Sequence, residues 1–107
     1  MKQRPQPLPD YDIATALDAL AHALASLKTA EEVRSFLEDL CTPAELESMA
    51  DRWKVVPLLL QGITYREIHD RTAVSVTTIG RVARTIDRGT GGYALAARRL
   101  RLPLASH

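Results

Sequence analysis

The segment GITYREIHDRTAVSVTTIGRVAR, residues 62–84, holds the side chains best suited to chemistry in this 107-residue chain. Arg66, Arg81 and Arg84 carry planar guanidinium forks that match the paired acceptors of a guanine edge, a contact worth about 1–3 kcal/mol in discrimination. Val76 and Thr77 offer methyl groups that suit a thymine methyl, and Gly80 allows close approach to base edges. Thr78 and the helix start beside it suit phosphate oxygens. No acidic residue occurs from position 75 to position 86. A helix pair that only packs would more often mix charges on this face, so the segment is expected to bind double-stranded DNA.

Presenting these groups takes a helix-turn-helix: two helices crossing steeply about a short turn, the second offering its N-terminal end to the major groove. Apolar residues must lock the pair, and Ile68, Val74, Ile79 and Val82 fall where that is needed. The first helix of the pair is expected over about Tyr65–Arg71 and the second from Ser75 as N-cap, with the whole motif at 64–88. Two residues depart from the usual pattern. His69 stands where a small residue is usual, and Ala73 stands where glycine would be easiest, at roughly 1 kcal/mol if that position is left-handed.

The remaining elements read as helices too. Three capping boxes, Thr29 with Glu32, Thr42 with Glu45 and Thr64 with Glu67, mark helix starts. Before them Ile13, Leu17, Leu20, Leu24 and Leu27 form a heptad-like stripe. So long a stripe in so small a protein needs a substantial surface opposite, either a partner chain or the chain's own later helices. A second helix carries Val33, Phe36, Leu37 and Leu40 and stops at Cys41. A third starts with Pro43, carries Leu46, Met49, Ala50, Trp53 and Leu60 and ends at Gly62. Pro57 lies inside it and is expected to kink it without splitting it. After the glycine-rich RGTGGY a last helix spans about Tyr93–Arg101. No stretch alternates as a strand would, so the fold class is all-α with six helices. A flexible arm at 1–10, a single helical domain at 11–102 and a tail at 103–107 complete the organisation.

Bulk properties narrow the function. Hydrophobic residues make up 46% of the chain and aromatic ones 5%, which favours helices packed through Ala and Leu. Residues 1–80 carry eight Lys/Arg and twelve Asp/Glu, whereas residues 81–107 carry six Arg and only Asp87. That cationic end is a footprint for a polyanion, or Arg98, Arg99 and Arg101 form a solvated helix face. One cysteine requires no oxidising compartment, and neither a secretory signal nor a membrane-length apolar run is present; the default expectation is a cytoplasmic protein. His22, His69 and His107 are too scattered for a metal set, and Cys41 is expected to be a small buried hydrophobe. GTGG follows a helix and lacks the lysine of a phosphate loop. No nucleophilic triad is visible and Asp51 beside Arg52 reads as local pairing, so an enzyme is not expected.

The stretch LKTAEEVRSFLEDLCTPAELESMADRWKVVPLLLQGITYREI, continued by TTIGRVARTIDRGTGGY, resembles the tryptophan-repressor superfamily, and within it the YerC/YecD branch of tryptophan-repressor-related proteins. The resemblance covers roughly residues 24–100. It implies an intertwined helical homodimer whose two reading heads bind half-sites of a pseudo-palindromic operator, with the leucine stripe in the dimer core. It also implies an effector pocket at Thr42, Arg52, Arg81 and Thr85, where the tryptophan repressor holds its corepressor. However, the glycine that follows the second arginine there is Val82 here. Branched bulk in a packed site costs about 1–3 kcal/mol, so L-tryptophan is expected to bind weakly or not at all. Arg52 reads better as a phosphate ligand or as the partner of an acidic neighbour. The function expected is that of a sequence-specific transcriptional regulator, a repressor by occlusion. The alternative is a protein-interaction module that keeps the helix-turn-helix as scaffold and docks an acidic partner on its basic C-terminus.

Overall fold

The computed structural model describes residues 12–104, which form six α-helices and no strand. These are α1 (Ile13–Ala25), α2 (Ala30–Leu40), α3 (Pro43–Leu60), α4 (Tyr65–Thr72), α5 (Val76–Arg88) and α6 (Gly92–Arg99). The arm expected at 1–10 and the end of the tail lie outside the described residues. Two compact units divide the chain, one up to Thr42 and one from Pro43 onward.

In the first unit the caps act as the sequence requires. The Asp12 carboxylate accepts the Thr15 amide at 2.8 Å and opens α1. That amide hydrogen bond is the main reason its pKa lies below the ordinary aspartate value. A lowered folded pKa stabilises above the unfolded value, so this cap is lost as pH falls through the folded one. At α2, Thr29 Oγ1 accepts the Glu32 amide at 3.1 Å while Glu32 Oε1 accepts the Lys28 amide at 2.8 Å, one residue before the cap. Neither α1 nor α2 contains a fully buried residue. Ile13 and Leu17 are 85% and 60% exposed, and Leu20, Leu24 and Leu27 are half-buried. The apolar stripe is therefore present but largely uncovered within a single chain. α1 ends at Ala25, so Leu27 continues the stripe from outside the helix. Cys41 is only part-buried, not a core residue, because it closes the exposed C-terminal end of α2.

The second unit holds the core. α3 packs against α4, α5 and α6, and α4 packs against α5. Val55, Val56, Ile68, Val74, Ile79 and Val82 form one buried cluster, with Trp53, Leu58, Ile63 and Tyr93 among the partly buried residues against it. The four residues expected to lock the head are all inside. On α3 the buried pair is Val55 and Val56; Leu46 and Trp53 are half-buried and Met49 and Ala50 exposed, because only the C-terminal half of α3 faces the other helices of its unit. Trp53 meets Tyr93 of α6 with ring centroids 6.4 Å apart and planes tilted by 40°, an ordinary aromatic pairing. α3 runs through Pro57 as one helix.

Two helix ends differ in kind. α3 closes in a Schellman arrangement: Gly62 has φ 80°, its amide donates to Leu59 O, and Ile63 N donates to Leu58 O at 3.1 Å. α6 closes in the same way without a glycine. Arg101 takes φ 58° and Leu102 N donates to Ala97 O at 3.0 Å, so the helix stops at Arg99, two residues before the sequence-based boundary. Asp51 is paired with Lys54, at 3.6 Å, one turn on. Helix geometry brings residues three apart to one face and turns adjacent ones away, which is why Arg52 is not its partner.

Candidate nucleic-acid interface

α4 starts where Thr64 Oγ1 accepts the Glu67 amide at 3.2 Å. The other half of the expected capping box is absent, because the Glu67 carboxylate turns forward to Arg71. The helix ends at Thr72, and Ala73 stands left-handed at φ 64°, its amide donating to His69 O. Thr72 and His69 then secure the turn. Thr72 Oγ1 donates to Ile68 O at 2.7 Å and accepts the Val74 amide at 3.1 Å. His69 Nδ1 donates to Val74 O at 2.7 Å across the turn; a carbonyl only accepts, so this nitrogen carries the proton. Both departures from the usual pattern are thus accommodated: the imidazole supplies a clamp where a small residue is usual, and Ala73 takes the conformation that the turn demands.

α5 is capped by Ser75, whose Oγ accepts the Thr78 amide at 3.1 Å and donates to Thr78 Oγ1 at 3.0 Å. Ile79 and Val82 are buried and define the inner face. On the outer side Arg66, Thr77, Arg81 and Arg84 are exposed, Val76 is 52% exposed, and Thr78 and Gly80 are half-buried. An uncovered valine in the first turn of a capped helix does nothing for the core. Among the described residues, no carboxylate lies within ion-pair distance of Arg66, Arg81 or Arg84.

The structure adds a residue that sequence reasoning missed. A Cβ at Gly80 would lie 3.9 Å from Tyr65 Cε2 and 3.9 Å from Arg84 Nη1, so the Tyr65 ring, 43% exposed, flanks the same face. Helical spacing within α4 carries no signal for this. The 3.9 Å distances are ordinary contact, and Gly80 has helical geometry, so Gly80→Ala is expected to stabilise the fold by about 0.5–1 kcal/mol. If Gly80 lets a base edge approach, as the sequence leads one to expect, the same methyl would stand in its way. Thermal melts should therefore show a higher Tm while DNA affinity falls; a variant with unchanged affinity would remove Gly80 from the interface.

Two members of the expected effector set share a concavity. Arg81 and Thr85 line one concavity on α5 together with Arg84, Arg88 and Gly89. Arg52, half-buried on α3, does not line it, and Thr42 belongs to the other compact unit. The Thr85 hydroxyl donates to Arg81 O at 3.1 Å, which leaves it only acceptor capacity toward a ligand. Val82 is buried in the cluster that locks the head.

Six helices with this cap-turn-cap junction define a helix-turn-helix protein of the all-α class. The Trp repressor protein family profile matches residues 15–101, and the chain belongs to that family, whose members are non-enzymatic DNA-binding regulators. YerC of Bacillus subtilis (strain 168), an uncharacterized protein, is 40% identical over 85 residues, which are 79% of this chain and 82% of YerC. Two solved structures are similar at 34% identity each. The crystal structure of a candidate Trp repressor from Staphylococcus aureus matches with a TM-score of 0.79 over 84% of this chain and 90% of that one. That of a TrpR-like protein from Eubacterium eligens ATCC 27750 matches at 0.77 over 87% and 94%. No helix among the described residues is long and apolar enough to cross a membrane.

Proposed function

We propose that this protein is a cytoplasmic, sequence-specific transcriptional repressor that binds a pseudo-palindromic operator as a homodimer. α5 enters the major groove, with Val76, Thr77, Gly80, Arg81 and Arg84 toward the bases, Arg66 of α4 beside them, and Thr78 on phosphate. The observation that carries the reading is the outer face of α5: uncompensated guanidiniums and an uncovered valine on a helix whose opposite face is locked in a buried core. An electrophoretic mobility shift across a salt series tests it. Affinity for a selected operator should fall steeply and linearly in log–log form as salt rises, because each neutralised phosphate releases counterions. The replacement by Val82 of the glycine found in the tryptophan repressor supports an operator complex that does not wait for L-tryptophan, so adding the amino acid should leave the same shift unchanged. An acidic protein ligand captured in place of any DNA would instead favour the interaction-module reading.

The homodimer rests on the first unit. α1 and α2 bury no side chain fully, and Ile13, Leu17 and Leu40 stand exposed, a cost that a second copy would offset at about 25 cal/mol per Å² of apolar surface covered. Sedimentation velocity at micromolar concentration should report a dimer, and a stable folded monomer would contradict this reading.

A further inference from the structure

The turn between α4 and α5 is gripped from both sides of its left-handed residue. His69 O accepts the Ala73 amide at 2.8 Å and His69 Nδ1 donates to Val74 O at 2.7 Å, so one residue brackets Ala73 at φ 64°. Thr72 Oγ1 accepts the Val74 amide at 3.1 Å while donating to Ile68 O. Both polar backbone groups of Val74, the residue just before the Ser75 cap, are thereby tied back to α4. The core and this clamp constrain α5 differently. Ile79 and Val82 hold its inner face through apolar packing, which is non-directional and accommodates a small tilt. Hydrogen bonds weaken steeply when misaligned. A pivot of α5 about Ala73 and Val74 therefore breaks the bond from His69 or the one to Thr72.

We propose that His69 is a positioning residue for the reading helix. Its Nδ1–H bond to Val74 O fixes the angle at which α5 leaves the turn, and with it the selectivity for operator over other DNA. The inference rests on the function proposed above. Short side chains such as Val76 and Thr77 reach a base edge only from one depth and tilt, so direct readout depends on that angle. Long arginines reach phosphate from a range of helix angles, so binding to random sequence draws little on the clamp. His69 acts through Val74 and need not touch DNA.

His69→Ala, His69→Asn and His69→Gln in the full chain test this. The asparagine amide nitrogen is bonded to Cγ, as His Nδ1 is, and presents a donor at the same place; glutamine carries the same amide one carbon further out. At a temperature where circular dichroism shows every variant folded, anisotropy titrations on a selected operator and on random duplex give the ratio of the two affinities. His69→Ala and His69→Gln should lower that ratio about five-fold, the scale of one intramolecular hydrogen bond, with random-duplex affinity and salt slope unchanged. His69→Asn should keep the parent's ratio. If the alanine variant does not fold, the asparagine and glutamine variants decide between them. A ratio unchanged in the alanine and glutamine variants, or lost equally in the asparagine one, overturns the positioning role; so does an equal fall on operator and random duplex. A parent that binds no DNA overturns the proposed function and the role of His69 with it, whereas a parent that binds with a ratio indifferent to His69 overturns this inference alone.

Discussion

Arg84→Ala is expected to weaken operator binding by about 1–3 kcal/mol, roughly five- to 150-fold, without changing the melting temperature. Arg84 is exposed and pairs with no carboxylate among the described residues, so the fold loses nothing when it is removed. Its Nη1 lies beside Gly80 and the Tyr65 ring flanks the same spot, which puts the guanidinium on the part of α5 proposed to enter the major groove. Fluorescence anisotropy on a selected operator and on its single-base variants measures the effect. The loss should be greatest on the parent operator and should shrink when one particular base pair is already replaced. A uniform loss on every sequence would make Arg84 a phosphate contact, and no loss at all would show that the reading face is wrongly assigned.

Ile79→Ala acts at the opposite face of the same helix. Ile79 is completely buried in the cluster with Val55, Val56, Ile68, Val74 and Val82. Truncating such a residue removes its transfer free energy and leaves a cavity that close-packed neighbours fill only in part, at about 2–5 kcal/mol. For a domain of this size that is a large fraction of the total stability. Urea unfolding should show a midpoint far below the parent's, with DNA binding lost as the head loosens. Ile79→Val, which removes one methylene, should cost about 0.5–1.5 kcal/mol and keep most of the affinity. A destabilisation under 1 kcal/mol for the alanine variant would mean that the head is not locked through this residue.

Much of this head is legible in the sequence. Caps at Thr29, Thr64 and Ser75, the inward set Ile68, Val74, Ile79 and Val82, and the left-handed demand at Ala73 all depend on interactions within about one helical turn, and these leave regular spacing in a sequence. The errors have the opposite character. Glu67 has two partners within reach, the amide at its own helix start and Arg71 one turn on; the second charge won, and a motif alone does not weigh the two. The end of α6 was overrun because arginine rarely adopts the left-handed conformation that Arg101 takes.

The chain's local order alone determined that it would form six helices, where most of them begin, and which face of α5 is apolar, since capping and periodicity act between near neighbours. The crossing of helices decided the rest. Tyr65 and Gly80 stand fifteen positions apart, and only the angle at which α4 meets α5 brings the ring over the glycine. Val55 and Val56 became core because the C-terminal half of α3, rather than its start, receives α4 and α5. Helical period says which side chains share a face, but which faces meet is set by the shape of the side chains between them, and that exists only in three dimensions.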